Sequence, residues 1–269
     1  MNFPINYCLY KIDTVNIEGA TLHTHTVTSE IIQTFENSGN VLINGELYRM
    51  QKNGLYFIHG LATHLVAPDD INKYNHSIII LNTPEAEKLC ENLFVTKEYA
   101  KLFTEKGGTF CALPPEKVLE VDGIFLKIHN ILNDDSSMKY ARLSSLFIDL
   151  LNIGLATKAR ENNPSSKISD IIAFISDNAL NRITIDDICE KTHISKYHLC
   201  RMFKKYVGVT VGEFIKSRRL SLAKQLLAET ELSVTQIAGR CSFYDASFFS
   251  KTFSKEFGIS PTKFRAKYR

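Results

Sequence analysis

The sequence predicts an α+β protein in two parts: a small β-barrel domain with two packing helices, then an all-α domain that uses one helical unit twice. Three observations predict it. Short apolar runs separated by closely spaced turns fill residues 1 to about 83. Helical periods take over from Pro84. The last third repeats itself at an offset of 49 to 50 residues, the mark of one structural unit used twice.

In the first part, "EIIQTFENSGNVLINGELYRM" holds strand-like runs with a Ser-Gly-Asn turn ahead of the second. Asn44-Gly45 then closes a hairpin between Val41–Ile43 and Glu46–Met50, because a two-residue hairpin turn favours this dipeptide. "GLYFIHG" and "HSIIILN" (His76 to Asn82) suit buried strands. Short strands and frequent turns suggest a sandwich or barrel.

"PEAEKLCENLF" places proline in a first helical turn. "PEKVLEVDGIFLKIHNIL" carries Val118, Val121, Phe125, Ile128 and Leu132 on one side. "KYARLSSLFIDLLNIGLATK" does the same with Leu143, Leu146, Phe147, Leu150 and Leu151. Two such amphipathic helices pack on their own β domain or on a second copy. "ARENNPSSK" (Ala159 to Lys167) is polar, contains proline and reads as a linker. The expected domains are 1–158 and 168–269, joined by 159–167.

Composition bounds the function. With 269 residues, 44% hydrophobic and 23% charged, the chain fits a soluble protein of two domains. No apolar run reaches about 18 residues, so no membrane span is expected. The start "MNFPINYCLYKIDTVN" lacks the pattern of a secretion signal, so none is expected, and a cytoplasmic protein is the expectation. Six scattered cysteines form no CxxC pair and read as reduced structural thiols. The net charge of +3 is uneven: residues 165–269 carry 18 Lys and Arg against 10 Asp and Glu, whereas residues 1–164 carry 14 against 19. A +8 module on a −5 remainder suits a polyanion partner. There is no GxSxG and no P-loop.

The repeated unit aligns "TIDDICEKTHISKYHLCRMFKKYVGVTVGEF" with "SVTQIAGRCSFYDASFFSKTFSKEFGISPTKF". Leu199/Phe249, Phe203/Phe253, Gly208/Gly258 and Phe214/Phe264 lie 50 apart; Thr184/Ser233, Ile188/Ile237 and Ile194/Phe243 lie 49 apart. The second copy therefore has one extra residue in its turn. Each unit opens on an N-cap residue, runs through a short helix and a tight turn, meets a second cap at Ser195 or Asp245, and ends a longer helix before glycine. These are the parts of a helix-turn-helix.

At about 100° per residue, Met202, Tyr206, Leu199, Phe203 and Val207 fill one arc of the longer helix. Tyr197, Arg201, Lys204 and Lys205 lie opposite, with His198 and Cys200 at the margins. Such a ridge fits a DNA major groove about 12 Å wide. It is also what any solvated helix presents, and the second copy shifts the balance. There Ser247, Ser250, Lys251 and Ser254 form the matching ridge. "VGEFIKSRRLSLAKQLLAE" joins the units as a helix about 28 Å long. Its Arg218, Arg219 and Lys224 are candidates for phosphate contact or for internal pairing with carboxylates.

"ISKYHLCRMFKKYVG", "FIKSRRLSLAKQLLAET" and "VTQIAGRCSFYDASFFSKTFSKEFGISPTKFR" resemble the DNA-binding domain of the AraC/XylS family of bacterial transcription regulators, over about residues 167–269. The first longer helix is particularly similar to that of the multiple-antibiotic-resistance type regulators. The resemblance implies base contacts from Tyr197, Cys200 and Arg201, and from Ala246, Ser247, Ser250 and Lys251 in the second unit; Lys196, Lys204 and Lys205 would hold phosphates. Two positions depart from the family. Ser242 replaces the glycine of its usual "GF" pair, and Cys200 stands at an often polar reading position.

"LHTHTVTSEIIQTFENSGNVLINGELYRMQKNGLYFIHGLATH" resembles the cupin-like sensor domain of many such regulators. His25, Phe35, Tyr48 and Phe57 are candidates to line an effector pocket, or simply to fill a small barrel. His23, His25, Glu30 and His64 also have the spacing of a cupin metal site. Sensor domains of the family usually lack a metal, so the resemblance implies neither metal nor cofactor. The expected protein is a non-enzymatic transcription regulator, an activator by family habit. Its partners would be promoter DNA, RNA polymerase, a second copy of itself and a small effector. A metal-dependent cupin enzyme with a nucleic-acid tether, or a regulator controlled by a partner protein, are the alternatives.

Overall fold

Strands buried on both faces explain the long apolar runs of the first part. A computed structural model describes residues 3–13, 25, 27–35, 39–69, 74–105, 107–134, 136–157 and 167–268. The chain divides into Met1–Pro164 and Ser165–Arg269. Of the expected linker, residues 159–166 lie outside the described ones, and Lys167 begins a helix.

The first unit runs β1 (Ile5–Asp13), β2 (Thr28–Thr34), β3 (Asn40–Ile43), β4 (Glu46–Arg49), β5 (Gly54–Ile58), β6 (His64–Ala67), β7 (Asn75–Asn82), α1 (Thr83–Asn92), α2 (Thr96–Phe103), β8 (Gly108–Ala112), α3 (Pro115–Leu132) and α4 (Lys139–Thr157). One antiparallel sheet has the order β1-β7-β2-β5-β8 and the other β4-β3-β6. Among the described residues the two sheets share no strand, so the α+β class stands and the expected sandwich or barrel takes the form of two facing sheets that do not close. The reason lies in the crossings. After β2 the chain leaves the larger sheet for β3, and after β5 it leaves again for β6, so β2 and β3, on either side of the Ser-Gly-Asn stretch, do not pair as a hairpin. The Asn44-Gly45 hairpin is present, with Ile43 opposite Glu46 and both turn residues at positive φ.

Alternate residues of the five-stranded sheet face two cores. Ile31, Leu55, Phe57, Ile79, Leu81 and Cys111 pack under the helices with Phe103, Phe125, Phe147 and Leu150. Ile32, Tyr56, Ile58 and Phe110 point the other way, toward Val41 and Ile43 of the small sheet. A strand covered on both faces needs apolar residues at successive positions, hence "GLYFI" and "SIIIL". Of the helical positions singled out in the sequence, Val121, Phe125, Ile128, Leu143, Phe147, Leu150 and Leu151 are buried, and Val118, Leu132 and Leu146 are half-buried. Both helices pack on their own domain.

The second unit holds α5 (Lys167–Asn178), α6 (Ile185–Thr192), α7 (Lys196–Val207), α8 (Val211–Glu229), α9 (Val234–Arg240), α10 (Ala246–Phe257) and α11 (Pro261–Tyr268). Thr184, Ser195, Thr210, Ser233 and Asp245 all cap helices, each accepting from a backbone N–H three residues on. Gly208 and Gly258 end α7 and α10 in the left-handed conformation, which glycine adopts without steric cost. Copy matches copy in packing as well. Phe203 meets Phe214 edge-on at 5.5 Å, and their counterparts Phe253 and Phe264 meet edge-on at 5.5 Å. Among the described residues no helix is long and apolar enough to cross a membrane.

Candidate nucleic-acid interface

The caps and core residues fix which side of each longer helix faces outward. On α7, Leu199, Phe203 and Val207 are buried, leaving Lys196, Tyr197, His198, Cys200, Arg201, Lys204 and Lys205 exposed. The apolar arc is narrower than its angular projection: Met202 is half-buried, and Tyr206 is exposed beneath the Lys205 ammonium, 5.3 Å from its ring centre. His198, Arg201, Met202, Lys205 and Tyr206 line a shallow surface groove. Lys196 also faces Asp186 of α6 at 3.8 Å, an exposed pair that contributes little and leaves the ammonium available to a stronger anion.

On α10, Ser247 and Lys251 are exposed, Ala246, Ser250 and Ser254 half-buried, and Phe249 and Phe253 buried. Two outward aromatics were missed from sequence. Tyr244 is 90% exposed and Phe248 57% exposed. Tyr244 is the extra residue of the second copy, so the change of offset from 49 to 50 was its signal.

The turn that carries Tyr244 answers the Ser242 question. Ser242 has φ +56°, and His193, 49 residues earlier, has φ +53°. Both copies thus use a left-handed residue with a Cβ, at a cost of about 1–2 kcal/mol. Ser242 Oγ donates to the Leu180 carbonyl, a bond worth about 0.5–1.5 kcal/mol net. Ser242→Ala should therefore lose about 1 kcal/mol of stability, while Ser242→Gly stays near neutral because relief of φ offsets the lost bond. Urea unfolding of the two variants beside the wild type checks this; a Ser242→Ala chain as stable as the wild type would show that the hydroxyl contributes nothing.

Of the four basic residues of α8, Lys216 is exposed and 3.7 Å from Glu256, and the three named as candidates face inward to different degrees. Lys224 is fully buried, its Nζ 5.0 Å from the Phe257 ring centre, and burial pulls the ammonium down to about 7. It is no phosphate contact. Arg219 donates to the carbonyls of Ala179 (2.7 Å) and Asn181 (3.2 Å), tying α8 to the chain after α5; its partners are carbonyls and not carboxylates. Arg218 is half-buried, and burial lowers its affinity for the proton against the opposing pull of Asp177. The helix serves as a scaffold between the two units.

The effector candidates of the first unit are not gathered in one place. Phe57 lies under the helices against Phe103, on the opposite face of β5 from Tyr56 and Ile58. Tyr48 packs on Phe110 in the space between the sheets, and its hydroxyl donates to Glu46 at 2.6 Å. Phe35 is half-buried beside the Lys11 ammonium. His25 meets Glu30 and His64. His23 lies outside the described residues.

The helix-turn-helix domain family matches residues 188–267. The HTH-type transcriptional activator AarP of Providencia stuartii is 41% identical over 101 residues, 38% of this chain and 75% of that protein. The chain belongs to the AraC family. It is a DNA-binding transcription regulator. This AraC-family chain also aligns along most of its length with the HTH-type transcriptional activator RhaR of Enterobacter sp. (strain 638), at 25% identity over 92% of this chain and 87% of that one. A crystal structure of a transcriptional regulator with an AraC-type DNA-binding domain, from Chromobacterium violaceum, matches 38% of this chain and 91% of its own at 31% identity and a TM-score of 0.36.

Proposed function

We propose that this chain is a cytoplasmic transcription activator whose duplicated helix-turn-helix units read two neighbouring stretches of a promoter. The observation that carries the reading is the matched pair α7 and α10, each anchored by buried apolar residues and each presenting a polar face. Tyr197, Cys200 and Arg201 on α7, and Ala246, Ser247, Ser250 and Lys251 on α10, are assigned to base edges. Arg201 suits guanine, whose two acceptors match a guanidinium fork, and Cys200 suits a thymine methyl because its thiol is a weak donor. Lys196, Lys204 and Lys205 are assigned to phosphates. Residues 1–158 act as sensor and dimerisation domain, with the space between the sheets near Tyr48 and His25 as the effector site. The protein then works by contact with RNA polymerase and has no reaction of its own. The names of AarP and RhaR, both transcriptional activators, support that direction.

The test is selection of bound duplexes from a random library by the full-length chain. The expected product is a site with two preferred elements spaced by about one helical turn, roughly 34 Å. Enrichment without sequence preference would overturn the reading.

A further inference from the structure

The second unit carries two outward aromatic rings at the start of its longer helix. Phe248 is 57% exposed and Tyr244 90% exposed. Phe248 is held at its base. Its backbone N–H donates to Asp245 Oδ1 at 2.7 Å, which fixes it in the first turn of α10. Its ring centre lies 6.3 Å from that of the buried Phe243. Tyr244 stands one residue ahead of the Asp245 cap. The first unit has His198 at the position of Phe248 and no residue at that of Tyr244, so the two helix heads differ.

Helix geometry decides what accompanies Phe248. Residues three and seven positions further on share its flank, and these are Lys251 and Lys255, both exposed. A cationic flank complements the phosphates that border a DNA groove. The head of the helix does not. A phosphate at a helix start uses open N–H groups, and here the Asp245 carboxylate accepts from one of them and repels an anion. What the head of α10 offers a duplex is therefore apolar surface. In the major groove the apolar group on a base edge is the thymine C5-methyl, and a phenylalanine ring packs on it. The first residues of a recognition helix are also the ones that reach base edges.

We propose that Phe248 and Tyr244 are specificity residues for thymine, each ring seating on a C5-methyl group in the half of the site that α10 enters. The proposal rests on the entry of α10 into the major groove. It adds to the polar ridge of Ser247, Ser250 and Lys251 a second, apolar kind of readout at the head of the same helix.

The experiment uses deoxyuridine, which keeps every hydrogen-bonding group of thymidine and lacks the methyl. Each thymine of the duplex selected by the full-length chain is replaced in turn. Fluorescence anisotropy then gives the affinity of the wild type, Phe248→Ser and Tyr244→Ser, with circular dichroism to show that each chain is folded. Loss of one buried methyl should weaken the wild type by roughly fourfold, at neighbouring thymines of one element. Phe248→Ser should bind the unmodified duplex more weakly and no longer distinguish deoxyuridine at one of these positions, and Tyr244→Ser should do the same at its neighbour. If Phe248→Ser does not fold, Phe248→His, which installs the residue of the first unit, takes its place with the same loss expected. A wild type indifferent to the methyl at every thymine overturns the proposal and leaves the two-element site intact; the rings would then face another protein. Discrimination kept in full by both folded variants also overturns it, since the methyls would then be read by α7. Selection of duplexes without sequence preference would remove the proposed function and this inference together.

Discussion

Phe253→Ala should cost the second unit about 3–5 kcal/mol. Phe253 is fully buried, with ring centres of Phe249 at 5.6 Å, Phe257 at 4.5 Å and Phe264 at 5.5 Å. Removing it leaves a hole bounded by three rigid rings on two helices, and such a wall collapses poorly, which puts the loss at the high end for its class. A domain of this size is stable by only about 5–15 kcal/mol, so much of the margin goes. Because the chain has two units, a single melting temperature would blur the effect. Amide hydrogen exchange on the full-length chain locates it: α9, α10 and α11 should lose protection, while the two sheets of the first unit keep theirs. Unchanged protection in α10 would mean that the ring is not part of the second core. Phe203→Ala should produce the same pattern in α6 and α7, because Phe203 is the matching ring of the other copy.

That symmetry was readable from the sequence. Leu199, Phe203 and Phe214 repeat 50 residues later because both copies need the same core, and the N-caps repeat because buried helix starts need acceptors. The helix-joining stretch keeps its bounds, Val211 to Glu229, because Thr210 with Glu213 forms a capping box that fixes its start. Other features left no such trace. Lys224 looked like an outward cation, yet α8 is covered on more than one side: Ser217, Leu220, Ala223, Lys224 and Leu227 are all buried. A helix with apolar contacts around much of its circumference has no single outer face to project. Phe57 was misplaced for a related reason. In a strand buried on both sides, both parities are apolar, so residue type does not say which core a position joins. The edge strands β1 and β8 were missed as well. Tyr7 and Leu9 of β1 are exposed apolar residues, which blurs the alternation that marks a strand. The grouping of His25, Glu30 and His64 was readable from the resemblance of their spacing to a cupin metal site, whereas the two crossings between sheets that bring Glu30 to His64 were not.

Arg201→Ala and Lys205→Ala should separate base reading from phosphate holding, although the two residues sit one helical turn apart on the same exposed face of α7. Arg201 has no ion pair or ring contact among the described residues, so its fork is free to meet two acceptors on a guanine edge. Its loss should weaken the best duplex by about 1–3 kcal/mol, roughly 5- to 150-fold, and relax preference at one base pair. Lys205 already lies over the Tyr206 ring and is the residue proposed to hold a phosphate. Its loss should weaken every duplex alike and lower the salt slope by about 1. Fluorescence anisotropy over a series of salt concentrations, with the selected site and its single-base variants, measures both quantities together. Wild-type affinity of Arg201→Ala for the best site would remove Arg201 from the reading face. A Lys205→Ala effect confined to one base pair would exchange the two roles, and would turn the ridge of α7 about its axis relative to the groove.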